Sequence, residues 1–169
     1  LSAGYQMPLG NNGWKVGASL SGLDYRLCCS FAAINAKGNV RTAGAHISFP
    51  FILRATQTLT GGLSLERREA VDKVSGMEIA DRKVNTATAG MSWSVSDAWG
   101  GFNSLYGAAT FGHLDLSGNP ANALFDAATA QTQGHYSKLR VTYSRVQDWP
   151  GVHQLRLRLG GQLASKNLD

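Results

Sequence analysis

The chain has 169 residues, a length that suits one domain and leaves little room for two. Its 20 glycines and its charged fraction of only 16% are unusual for a helical soluble enzyme, and frequent aromatic residues argue against disorder. The formal net charge of +5 arises from scattered basic residues rather than from a block, which disfavours nucleic-acid binding.

Apolar and polar residues alternate along much of the chain. In the clearest segment, 155–159, leucines alternate with arginines, so a strand would separate the two residue types onto opposite faces. A helix would distribute those arginines around its circumference. No run reaches the roughly 20 apolar residues that a membrane helix needs. Barrel strands, in contrast, expose only alternate residues to lipid, so their mean hydropathy is near neutral.

The pattern predicts eight strands, near 1–7, 14–27, 38–49, 57–69, 82–96, 102–116, 134–147 and 153–165. Short connections are predicted at 10–13, around Pro50, at 97–101 and at 148–151. Longer connections are predicted at roughly 28–37, 70–81 and 117–133. The apolar parity switches after Gly22, which indicates a bulge or bend there. In 102–116 neither face is cleanly polar.

Short and long connections that alternate in this way are typical of outer-membrane barrels, in which the short turns are periplasmic. Aromatic residues gather near the predicted short turns, as in an interfacial girdle: Tyr5, Trp14, Phe49, Phe51, Trp93, Trp99, Phe102 and Trp149. We therefore expect an all-β fold, an antiparallel transmembrane β-barrel. Residues 1–169 would form about eight of its strands, the N-terminal half of a larger barrel. The alternative is a soluble β-sandwich, whose core also uses alternate positions.

No motif in the sequence indicates an enzyme, a cofactor or a metal. The four histidines, His46, His113, His135 and His153, lack metal-ligand spacing, and no Gly-x-Ser-x-Gly elbow accompanies the many serines. We expect no catalytic residue, no cofactor and no small-molecule substrate.

The candidate functional residues are charged side chains on the predicted polar faces. Lys138, Arg140, Arg156 and Arg158 fall on two strands joined by a tight turn, and like charges there need water or carboxylates to screen them. A hydrated lumen supplies the water, and Glu66 or another acidic lumen residue could supply a partner. We interpret these five residues as possible pore lining that contacts a passing chain or an internal plug. For any single residue, the alternative is a polar group that simply faces water.

Several short segments, in their order and spacing, resemble a known family: 5–10 with 13–14, 49–54, 99–103, 143–147 and 161–169. The chain resembles the barrel of two-partner secretion outer-membrane transporters, the haemolysin secretion/activation proteins (ShlB/FhaC/HecB family). The resemblance implies a Gram-negative outer-membrane pore, surrounded by outer-membrane lipid. Such a pore translocates a secreted partner protein, namely a haemolysin, adhesin or toxin, without ATP.

The resemblance also implies periplasmic POTRA domains and further barrel strands, which we expect outside these residues. Two alternatives remain open. One is another outer-membrane barrel, such as an assembly factor, a porin or a barrel enzyme. The other is a soluble β-sandwich binding module.

Overall fold

The computed structural model describes residues 1–29, 35–149, 151 and 153–166. Eight antiparallel strands form one sheet, in which each strand pairs with its neighbours in sequence. The strands are β1 (Ser2–Leu9), β2 (Trp14–Arg26), β3 (Lys37–Arg54), β4 (Gln57–Val74), β5 (Met77–Ser96), β6 (Gly101–Asp115), β7 (Gly134–Asp148) and β8 (Gln154–Ala164); one helix, α1 (Pro120–Ala128), lies between β6 and β7. The predicted all-β fold with eight antiparallel strands is confirmed.

The sheet is open. β1 pairs only with β2, β8 pairs only with β7, and no hydrogen-bonded ladder joins β1 to β8 in the described part of the chain. The sequence predicted that these strands form the N-terminal half of a larger barrel, and an open sheet leaves that barrel a prediction. Both edge strands retain backbone donors and acceptors that can accept a further strand.

The strand register divides the side chains into two faces. Because side chains alternate along a strand and paired residues share a face, one assignment holds across all eight strands. The polar face includes Ser19, Thr42, His46, Ser64, Glu66, Thr86, Thr88, Ser92, Ser104, Thr110, Lys138, Arg140, Thr142, Ser144, Arg156 and Arg158; the apolar face includes Val16, Leu20, Ala45, Ile47, Leu59, Leu63, Leu65, Ala87, Ala89, Met91, Trp93, Leu105, Phe111, Leu139, Val141, Leu155, Leu157 and Leu159. The register also resolves β6, where the sequence alone gave no assignment.

Two predicted connections are wrong. β3 continues through Pro50 to Arg54, with a bulge between Pro50 and Ile52, and its turn lies at residues 55–56. A bulge tolerates proline because its missing N–H is not needed for the ladder. The long loop predicted at 70–81 is a two-residue turn in which Ser75 (φ 51°) and Gly76 (φ 85°) both have positive φ, as tight hairpins require.

The bulge predicted near Gly22 is also absent. The β2–β3 register runs without a break through Gly22, which pairs with Arg41. The parity changes because Leu23 and the residues after it lie beyond the apolar part of the sheet. There the apolar face carries Asp24 and Arg26 instead.

The predicted loop at 117–133 contains α1. Asn119 caps this helix by accepting a hydrogen bond from the Asn122 N–H (3.1 Å), and Pro120 begins it. At its other end, the Asp126 carboxylate accepts hydrogen bonds from Thr132 and Gln133, which lead into β7. No helix among the described residues has the length and apolar character needed to cross a membrane.

Candidate functional site

The apolar face is exposed. Within the described residues the buried hydrophobic side chains are few: Ala36, Ala80, Ala108 and Leu116. Leu63, Leu65 and Leu163 on the apolar face are 60%, 63% and 73% exposed. No second layer of the described chain covers this face, because the strands contact their sequence neighbours within one sheet.

Exposure alternates along the central strands in the sense opposite to that of a soluble protein. In β5, Ala87 and Ala89 on the apolar face are exposed, whereas Thr86 and Thr88 on the polar face are half-buried. β3 repeats this pattern. A sheet that curves toward its polar face gives this alternation, because side chains spread apart on its convex side and are more exposed there.

The apolar face is a band with polar boundaries. In β4, Leu59, Leu63 and Leu65 lie between Gln57 and Arg67. The distance from Gln57 to Arg67 is about 34 Å along the strand. At the strand tilt of membrane barrels this corresponds to about 25 Å along the membrane normal. The height of the apolar band of such barrels is also about 25 Å.

Charged rows bound the band at the loop end, the end where 27–36, the turn at 75–76 and 116–133 connect the strands. The register aligns Arg67, Asn85, His113 and His135 in one row. The next row toward the loops alternates in charge: Arg41, Glu69, Lys83 and Asp115. Opposite charges that face each other across strands stabilise the pairing modestly.

Aromatic residues lie near the opposite end, the turn end, as the sequence indicated. The rings of Trp14 and Phe49 on the apolar face are 4.8 Å apart, and Phe51 packs edge-on to Phe49 at 5.3 Å. Trp99 lies in the β5–β6 turn, and Trp149 directly follows β7. Phe102 differs from the others because its register partner Val146 places it on the polar face.

Small side chains dominate the centre of the polar face. Serine, threonine and glycine occupy most of its positions in β4 and β5, and the hydroxyls of Thr88 and Thr110 are 3.0 Å apart. The larger Tyr136 lies over Gly112 of the neighbouring strand, so closely that an added Cβ at Gly112 would be 2.2 Å from the ring.

Three of the predicted pore-lining residues come together. Arg140 on β7 and Arg156 and Arg158 on β8 line one depression of about 470 Å³ on the polar face, together with Tyr106 and several hydroxyl side chains. Lys138 lies on the same face, opposite Thr110 and Ala164. The sequence did not single out Tyr106, because the parity of β6 was ambiguous.

These four cations have no carboxylate within ion-pair distance among the described residues. Arg156 donates a hydrogen bond to the Gln154 side chain at 2.6 Å. Glu66 shares the polar face but lies on β4, three strands and roughly 14 Å from β7. The structure therefore does not bring Glu66 to the cations.

A polar network at the turn end was not predicted from the sequence. Arg145 Nη1 donates to Asp97 Oδ2 at 2.7 Å and to Asn103 Oδ1 at 2.8 Å. Tyr143 also donates to Asn103, and Gln147 donates to the Trp99 carbonyl. The network joins two segments that carry the family resemblance, 99–103 and 143–147.

Asp97 is held in its charged form. The Gly101 backbone N–H, and then the side chains of Asn103 and Arg145 and the Trp99 N–H, donate to its carboxylate and lower the pKa of Asp97 to about 2. Arg145 and Asn103 lie on the apolar face, where Arg145 pairs with Leu157, so the network is a charged anchor at the turn-end boundary of that face.

Comparisons of the chain with protein-family models, with curated proteins and with solved structures found no match. The resemblance to two-partner secretion transporters therefore depends on the short segments alone.

Proposed function

We propose that this chain forms part of the wall of an outer-membrane β-barrel, with its apolar face against lipid and its polar face lining a water-filled lumen. The observation that carries the proposal is the reversed exposure in the centre of β3 and β5, where the apolar-face residues are the more exposed ones. In water, such a surface would drive association. In a membrane, lipid covers it.

The boundaries of the band support the same proposal. A bilayer has a hydrocarbon core with polar interfaces on both sides, and amphipathic aromatic rings favour those interfaces. The apolar band has this arrangement, since charged rows bound it at the loop end, and at the turn end the same face carries the Arg145 network on β6 and β7 and the Trp14 and Phe49 rings on β2 and β3.

The unpaired cations support a lumen wider than eight strands would enclose. In an eight-stranded barrel, side chains fill the interior. Arg140, Arg156 and Arg158 would then be desolvated together without a carboxylate, which is strongly unfavourable. A wider lumen keeps them hydrated, and further strands pair with the free edges of β1 and β8.

Within such a barrel, we propose passage of a partner protein by two-partner secretion. A polar face of small hydroxyl side chains presents few obstacles to a hydrated polypeptide, and the cations offer weak, reversible contacts to it. The resemblance of the short segments adds the class of cargo: a haemolysin, adhesin or toxin. No sequence feature indicates that ATP is used.

The lipid-facing assignment is testable by fluorescence. A variant that retains Trp93 and has Phe at the other three tryptophans should be quenched when the chain is refolded into vesicles that contain brominated phosphatidylcholine. In the matched control the sole tryptophan is introduced by Thr88→Trp on the polar face, and it should stay unquenched. A water-soluble folded monomer, or equal quenching of both reporters, would reject the assignment.

Protein passage needs a separate test. Cells that lack this protein should lose one large secreted protein from the medium and retain it in the periplasm. Unchanged secretion would reject transport while leaving the membrane assignment intact.

A further inference from the structure

A depression of about 630 Å³ opens on the apolar face at the loop-end boundary of the apolar band. Its lower part is lined by Leu65 and Phe111 with small alanines between them. Its upper part is lined by Arg67, His113 and His135. In the register these groups occupy two adjacent rows, so the depression is apolar toward the membrane centre and basic toward the loops.

We propose that this depression binds a phosphate-bearing lipid of the leaflet that meets the loop end. The proposal rests on the proposed function, because it requires the apolar face to contact lipid. An acyl chain would lie against Leu65 and Phe111, and the headgroup phosphate would lie at the row of Arg67, His113 and His135. The polarity of the depression thus follows the long axis of a lipid molecule.

The basic row can supply the donors that a phosphate needs. Arg67 donates through Nε and Nη2 to Glu69 at 3.0 and 2.6 Å, which orients the guanidinium and leaves its remaining N–H groups for another acceptor. The rings of His113 and His135 are 4.4 Å apart, and His113 Nδ1 is buried without a partner among the described residues.

The charges nearby favour this row over its neighbour. In the next row toward the loops, the cations Arg41 and Lys83 alternate with the acids Glu69 and Asp115, and Glu69 also pairs with Arg67 at 2.6 Å, so the two histidines make the difference between the rows. A free phosphate anion would make no favourable contact with the apolar half of the depression. The adjoining apolar surface therefore points to a lipid rather than to a soluble phosphate.

The test uses a reporter inside the depression. Phe111→Trp, with Phe at the native tryptophans, is refolded into phosphatidylcholine vesicles that contain a minor fraction of brominated lipid, either phosphatidylcholine or phosphatidic acid. We expect brominated phosphatidic acid to associate about fivefold more strongly than brominated phosphatidylcholine. The combined substitutions Arg67→Gln, His113→Gln and His135→Gln should reduce that ratio to about one.

The matched control is Lys83→Gln, which removes a loop-end cation outside the depression and should keep the preference. Excess inorganic phosphate should not abolish it. Equal quenching by the two lipids would overturn the headgroup site while leaving the lipid-facing assignment intact, and so would competition by inorganic phosphate. Absence of quenching by either lipid would overturn the proposed function as well. His135→Gln alone, at an exposed position, tests the site with less risk to folding and should lower the ratio partially.

Discussion

The guanidinium of Arg145 on β7 lies 2.7 Å from the carboxylate of Asp97, which begins the turn between β5 and β6. The two residues are 48 positions apart in sequence. Asn103 contacts both of them, and this residue is only 9% exposed. The contact therefore fastens a turn to a strand that is not part of its hairpin.

Removing the shared amide should destabilise the sheet. Asn103→Leu deletes a donor to Asp97 and an acceptor for Tyr143 and Arg145, so unfolding in urea should become easier by about 1–3 kcal/mol. The matched control is Asn39→Leu in β3, which loses no side-chain hydrogen bond to a described residue and should change stability little. Equal losses in the two variants would contradict the network.

Acid should weaken the same turn. Because folding lowers the pKa of Asp97 to about 2 from its usual value of 3.8, its contribution is fully present above about pH 4 and is lost as the pH falls toward 2. The urea midpoint should decline over that window, and Asp97→Asn should remove part of the decline. An identical pH profile for the variant would show that Asp97 is not the group responsible.

The strands were predictable because their signal is local. Alternation places Leu155, Leu157 and Leu159 on one face in any register. The ends of the strands were less predictable. Charged residues beyond the apolar band are typical of loops, but here they extend β4 and β5 up to a tight turn at Ser75-Gly76. Asn119 followed by Pro120 is a helix-start signal, but it lies in a segment without strand alternation that was predicted as a loop.

The candidate site was only partly predictable. Parity alone placed Arg140, Arg156 and Arg158 on one face, and the register confirms that they share it. Parity does not predict the distance from Glu66 to β7, because that distance depends on the order of the strands in the sheet. It also could not join Asp97 to Arg145, because that contact crosses two strands and depends on tertiary register.

We expect position 112 to require glycine, because the Tyr136 ring occupies the space that a larger side chain would need. Gly112→Ala places a methyl group where the Tyr136 ring lies, so the ring must move, and we expect a loss of about 1–3 kcal/mol in unfolding free energy. Gly107→Ala in the same strand meets no atom within 4 Å and is the control, expected to be neutral or slightly stabilising. The reverse order of stabilities would contradict the packing of Tyr136 on Gly112.

The cations of the polar face should bias ion flow. In planar bilayers under a KCl gradient, the pore should favour chloride, and Arg140→Gln combined with Arg158→Gln should shift the zero-current potential toward that of potassium. Arg54→Gln combined with Arg41→Gln removes the same charge from the apolar face and should leave the potential unchanged. Equal shifts would show that the polar face does not line the conducting path.

The most direct measurement is an accessibility scan of β5 in membranes. Single cysteines are introduced at Thr86, Thr88 and Ser92 on the polar face and at Ala87, Ala89 and Met91 on the apolar face, with the free Cys28 and Cys29 replaced by serine. A thiol in lipid does not ionise and so does not react. A water-soluble maleimide should therefore label the polar-face positions and spare the apolar-face positions. Equal labelling of both sets in membranes would contradict the account, and so would the same protection of the apolar set in a soluble chain without lipid.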